Sequence, residues 1–174
     1  EKSWSLNGYK VYDFGKEITA FPRFTAKATK AGLTMTLGTG ENLGSDSIPL
    51  MKDNVNYTDT YITKKGLQSW QPLTWRGFRY YAIKENVDLV IDDVSAMFRS
   101  FPVQKRGHFY CSDEELNQIW EIGRWTMQIC AHDTWMDTPW REQTQYIAGD
   151  SRYMVRSSAY AFDPKIKLLH DYNI

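Results

Sequence analysis

No apolar run of about 18 residues occurs anywhere in the chain, so no stretch reads as a membrane-crossing helix. An excess of charge of one sign is also missing, because 21 basic side chains are matched by 21 acidic ones. That balance removes the electrostatic case for nucleic acid or an anionic membrane surface as a partner. Histidine is scarce, with three in the chain. The adjacent pair His132-Asp133 has no second ligand at suitable spacing, so it reads as structural, and no metal or cofactor is expected. Cysteine is scarcer still, with Cys111 and Cys130 alone. If they bracket one helix, about 19 residues at ~1.5 Å each set them roughly 30 Å apart, beyond disulfide reach, and both read as free and buried. So few thiols fit a reducing compartment and a secreted one alike. No signal peptide follows Glu1, and the chain is expected to start inside a longer or processed product.

What is present changes character once along the chain. Up to about Val103 the segments are short, alternating and bounded by turn residues, as in Leu33 to Leu37, whose period-two apolar positions stop at Gly38 and Gly40. Further strands are expected at Tyr9 to Phe14, Phe24 to Thr29, Tyr57 to Thr63, Phe78 to Ile83, Val87 to Ile91 and Val94 to Phe98, the last two parted by Asp92-Asp93. Gly66 to Gln71 and Asn42 to Asn56 read as polar connections. Such a series suggests an antiparallel β-sandwich.

After Pro102 the period becomes helical. Ser112-Asp113-Glu114-Glu115 has the pattern of a capping box, with Cys111 and Leu116 as its staple. Leu116, Ile119, Trp120, Gly123, Met127 and Cys130 then form one stripe, which predicts a helix from Asp113 to about Ala131. Residues 133–148 carry Pro139 and read as a loop. A second helix is expected from Gly149 or Asp150 to Phe162, with Tyr153, Ser157, Tyr160 and Ala161 inward, and a third opens at Asp163-Pro164. It is still periodic at Ile174, so a truncated helical domain is expected, with the domains divided as 1–105 and 106–174.

The loop carries the chemistry. Asp137 to Asp150, DTPWREQTQYIAGD, gathers three carboxylates, one Arg, one Trp and one Tyr. Glycosidic cleavage needs such a mixture: one carboxyl group that keeps a proton near neutral pH, and others that grip hydroxyls and stabilise developing positive charge. An aromatic wall raises the pKa of the first, and a guanidinium keeps another ionised. Each residue also has a plainer reading: Glu142 with Arg141 as a loop ion pair, Asp137 and Asp150 as helix or turn caps, Trp140 as core.

Trp75-Arg-Gly-Phe-Arg-Tyr-Tyr81, then Gly107-His-Phe-Tyr-Cys-Ser-Asp113, Leu116-Asn-Gln-Ile-Trp120 and the acidic loop resemble the bacterial α-L-rhamnosidases of glycoside hydrolase family 78. The resemblance implies a jelly-roll-like antiparallel β-sandwich followed by the first helices of an (α/α)6 barrel. It also implies inverting hydrolysis of terminal α-L-rhamnosyl residues, with a rhamnose-containing glycan or glycoside as partner and no cofactor; a periplasmic or secreted location is expected, with a cytoplasmic one as the alternative. Glu142 resembles the general acid; Asp137, Arg141 and Asp150 resemble the groups that hold the sugar, and Trp140 and Tyr146 complete the substrate-binding set. Thr138 replaces the commoner Cys, and the step from Glu142 to Asp150 is one residue longer than in some relatives. The family's base is a Glu in later barrel helices, so this chain is expected to need the remainder of its own catalytic domain for turnover. Two other readings concern the β half: a lectin-like binding module using Trp4, Trp70 or Trp75, and a structural brace, which suits Trp75 to Tyr81 if its aromatics pack on both sides.

Overall fold

The computed structural model describes residues 2–43, 51–52, 55–56, 58–140 and 148–171. The chain parts into two compact units, 1–98 and 99–174. The sequence pattern sets this boundary at 105, but residues 99–105 pack with the helices: Phe101 and Val103 lie against the helical core, and Lys105 bridges to Phe162.

The first unit holds β1 (Lys2–Leu6), β2 (Tyr9–Ala28), β3 (Thr34–Gly40), β4 (Met51–Lys52), β5 (Val55–Asn56), β6 (Thr58–Ile62), β7 (Gly66–Trp70), β8 (Arg76–Lys84) and β9 (Leu89–Phe98). All the pairings among the described residues are antiparallel. A two-residue turn, Asn7 at φ 50° and Gly8 at φ 79°, joins β1 to β2, using the two residue types that best tolerate left-handed backbone. The segments expected as separate strands at Tyr9 and Phe24 are one strand of 20 residues. Its first half lies between β1 and β8, and its second half between β7 and β9. The pairing with β8 slips between Asp13 and Ile18, which bends β2 from one layer into the other. Phe24, Ala26, Leu89 and Val94 therefore face Met35, Leu37, Phe78, Tyr81 and Ile83 across one core, and the unit is a β-sandwich.

Asp92-Asp93 does not break a strand. β9 runs through it with Asp92 as the extra residue of a bulge, between the pairs Thr25 with Asp93 and Ala26 with Ile91. Gly66 to Trp70, expected as a connection, is an edge strand paired with Phe24–Ala28. In β8, Phe78 and Tyr81 enter the core while Tyr80 meets Trp4 edge-on at 6.3 Å, so aromatics are packed on both faces as the brace reading expects. Arg79 ties β8 to β2 through Asp13, with Nε to Oδ1 at 2.8 Å and Nη2 to Oδ2 at 2.9 Å, and this holds the Asp13 carboxyl below its ordinary range.

One carboxyl pair works in the opposite direction. Burial and the neighbouring Glu41 push Glu17 from the ordinary 4.5 up to about 8. The folded state thus keeps a proton that the unfolded chain releases near 4.5, so stability is undiminished below that pH and falls as pH climbs towards 8. Thermal melts of the sandwich are expected to drop between pH 5 and pH 9. Glu17→Gln should flatten that drop; an equal slope in both proteins would refute the shared proton.

The second unit contains α1 (Glu114–Cys130), α2 (Ala148–Ala161), a 3-10 turn at Pro164–Lys167 and α3 (Leu168–Asp171). The N-cap of α1 is Asp113 rather than Ser112. Its Oδ1 accepts from Glu115 N at 2.9 Å and Leu116 N at 3.3 Å, because a carboxylate meets the positive end of the helix dipole better than a hydroxyl does. In place of the expected Cys111–Leu116 staple, Asn117 clamps Cys111 by accepting from its N–H and donating to its carbonyl. Cys111 is accordingly half-buried rather than buried, and it is not joined to Cys130 in a disulfide.

The stripe on α1 enters the core only at its end, through Met127 and Cys130; Leu116 and Ile119 are exposed. The inward face of α2 is also turned from the expected one. Tyr153, Ser157 and Tyr160 are exposed, whereas Met154 and Val155 pack on the core and Ser158 and Ala161 are fully buried. With Ala131, Trp135, Phe162, Ile166 and Leu169 these residues close a small core at the C-terminal ends of both helices.

Candidate active site

The acidic loop leaves α1 through a tightly bonded turn. Ala131 bridges to Trp135, His132 N donates to Thr134 O at 3.1 Å, and Met136 N donates to Cys130 O at 2.8 Å. Trp135 is fully buried, and Pro139 is buried too. Asp137 is exposed between these two apolar anchors. A large buried aromatic on one side and a ring-locked φ on the other leave the intervening backbone few conformations.

Trp140 is half-buried one residue past Pro139. Asp150 is the third residue of α2, so the two ends of the loop are set by the two helices of this unit. The side chain of Asp150, together with Arg141, Glu142 and Tyr146, lies outside the described residues. Among the described residues no group of His, Cys, Asp and Glu could hold a metal ion. No helix there is long and apolar enough to cross a membrane.

Behind the turn is a network that sequence reading noticed only in part. Arg99 Nη1 donates to His132 Nδ1 at 2.9 Å, and Arg99 Nη2 donates to Asp133 Oδ2 at 2.8 Å. His132 is 2% exposed, and its Nε2 lies 2.9 Å from Ile129 O. Burial first, and then the Arg99 charge, lower its pKa to about 4, so the ring is neutral with its proton on Nε2. The structural reading of His132-Asp133 agrees with this geometry. Arg99, which completes it, is 33 residues away in sequence and carries no local signal.

In the sandwich, an open cleft of about 470 Å³ is lined by Lys10, Tyr12, Ile83, Leu89 and Ile91, among others. The tryptophans considered for a lectin-like surface are all half-buried, and Trp70 packs on Phe24 and Tyr61 with ring centroids at 5.8 and 5.7 Å. An indole held within an aromatic cluster offers little free face for stacking on a sugar.

Residues 6–99 match the family described as the bacterial alpha-L-rhamnosidase concanavalin-like domain, and residues 104–169 match the bacterial alpha-L-rhamnosidase 6 hairpin glycosidase domain. A curated alpha-L-rhamnosidase of Formosa agariphila is 27% identical over 166 residues, covering 90% of this chain and 17% of its own length. The crystal structure of a GH78 family rhamnosidase of Bacillus sp. GL1 superposes with a TM-score of 0.81 at 29% identity, over 94% of this chain and 18% of that one. The alpha-L-rhamnosidase of Aspergillus terreus shares the fold, with a TM-score of 0.79 at 24% identity, over 97% of this chain and 20% of that one. The chain thus spans a fifth or less of each of these three relatives.

Proposed function

Because this chain belongs to the bacterial α-L-rhamnosidase family, we propose that it forms the sandwich and the opening barrel helices of an inverting glycoside hydrolase that removes terminal α-L-rhamnosyl residues. In this reading Glu142 protonates the departing glycosidic oxygen. Asp137, Arg141 and Asp150 hold the sugar hydroxyls, and Trp140 and Tyr146 wall the pocket. The observation that supports it best is Asp137, displayed at the start of the acidic loop between the buried anchors Trp135 and Pro139. Its exposed carboxyl group can meet both hydroxyls and positive charge developing on the ring.

The water-activating base belongs to later barrel helices, roughly 6.5 to 9.5 Å across the sugar from the acid. Those helices would also cover the apolar residues that α1 leaves exposed, Leu116, Ile119 and Ile122. A periplasmic or secreted setting suits an enzyme that meets glycans outside the cell. Proton NMR of the complete enzyme acting on 4-nitrophenyl α-L-rhamnoside tests the reading, with β-rhamnose expected as the first sugar released. First release of the α-anomer, or no cleavage of the rhamnoside, would defeat it.

A further inference from the structure

We infer that Arg99 is a positioning residue for the acidic loop, acting through His132 and the turn that carries Asp137. The inference rests on the reading of residues 137–150 as the sugar-binding loop of a rhamnosidase. Its geometry is independent of that reading.

Arg99 joins two consecutive residues of the turn, with its two terminal nitrogens on His132 Nδ1 at 2.9 Å and Asp133 Oδ2 at 2.8 Å. A guanidinium can only donate, so the contact obliges Nδ1 to accept and puts the imidazole proton on Nε2. That proton is directed at Ile129 O, 2.9 Å away, one of the carbonyls that the end of α1 leaves without a helical partner. One cation therefore selects a tautomer, the tautomer caps a helix end, and the capped end orients the chain that follows.

The same turn is fixed from a second side by Phe101 N, which donates to Ala131 O at 2.6 Å. Arg99 and Phe101 thus hold one turn from a single stretch of backbone. Four residues separate His132 from Asp137, and of these Trp135 is fully buried and Met136 is tied back to Cys130. A shift at His132 has little slack in which to dissipate before it reaches the Asp137 carboxylate. Among the described residues, the charged groups that act on the ring are Arg99 and Asp133, and Asp133 is bound to the same guanidinium. Lysine cannot reproduce this arrangement, because an ammonium lacks the planar fork that reaches both partners at once.

The test compares Arg99→Met and Arg99→Lys in the complete enzyme, using steady-state kinetics on phenyl α-L-rhamnoside, whose weakly acidic leaving group needs a proton, and thermal melting, with Glu142→Gln run in parallel. A displacement of about 1 Å in such a site costs roughly a hundredfold in rate. Arg99→Met is therefore expected to lower kcat/KM by about tenfold to a hundredfold, with kcat falling more than KM rises, while the folded fraction at assay temperature stays complete. Arg99→Lys, keeping the charge and one of the two bonds, should recover part of the loss. If Arg99→Met folds poorly, the lysine variant alone decides, through its kcat per folded molecule. A folded Arg99 variant with wild-type kcat, beside an inactive Glu142→Gln, would overturn the inference alone. An active Glu142→Gln would instead overturn the reading of the loop.

Discussion

Gly107→Ala is expected to destabilise the helical unit by about 4 kcal/mol, whereas Gly123→Ala, the same substitution in the same unit, should stabilise it by about 0.5 to 1 kcal/mol. A Cβ at Gly107 would overlap the carbonyl oxygen of Tyr160 and sit 2.7 Å from its carbon. Those are backbone atoms in the last turn of α2, which cannot swing aside as a side chain can. Relief requires the extended segment to lift away from α2. That costs the bonds from Arg106 N and Gly107 N to Ala161 O, both 3.1 Å, and the 3.2 Å contact from Arg124 Nη1 to Gly107 O. Unmaking buried backbone pairs costs about 1 to 3 kcal/mol for each group left unsatisfied. At Gly123, in contrast, nothing lies within 4 Å of the added methyl, and the change simply reduces the freedom of the unfolded chain. Chemical denaturation of the two variants, read by hydrogen exchange in α2, decides the matter. Equal effects of either sign would show that close approach is not why glycine stands at position 107.

Gly107 belongs to a segment that carries the family resemblance, and its role shows what could and could not be read from residues alone. The alternation from Leu33 to Leu37 and the three-and-four spacing along α1 were legible because each element has one apolar face that matches its period. β7 was not legible, because its pattern is inverted. Leu67 points outward at 70% exposure, while Gln68 turns inward, accepting from Tyr61 Oη and Lys64 N and donating to Lys64 O. A polar side chain with every group satisfied can occupy an inward position that a hydrophobicity pattern assigns to loop. On α2 the large aromatics Tyr153 and Tyr160 lie two turns apart and set the apparent phase, yet the buried face is built from the small residues Ser158 and Ala161. Small side chains let the helix approach its neighbours closely but contribute little to a hydrophobic stripe.

The candidate site divides in the same way. Asp137 and Trp140 stand out as candidates from chemistry and resemblance, because carboxylates, a guanidinium and an indole fall within one short segment. Arg99 does not, since its partners are brought to it only by the fold.

Glu142→Gln carries the largest effect on turnover. Removing a positioned proton donor costs about 10²- to 10⁴-fold. The amide keeps the shape and polarity of the carboxyl group, so KM should change little while kcat collapses. The loss must also depend on the substrate, because a leaving group that departs as a stable anion needs no proton. The most direct measurement is therefore kcat/KM of Glu142→Gln in the complete enzyme across aryl α-L-rhamnosides of increasing leaving-group pKa. Near-wild-type values for the most acidic phenols, with a deficit that grows steadily to about a thousandfold for the least acidic, are what proton delivery by this side chain predicts. A deficit of one size across the series, or none at all, would contradict it.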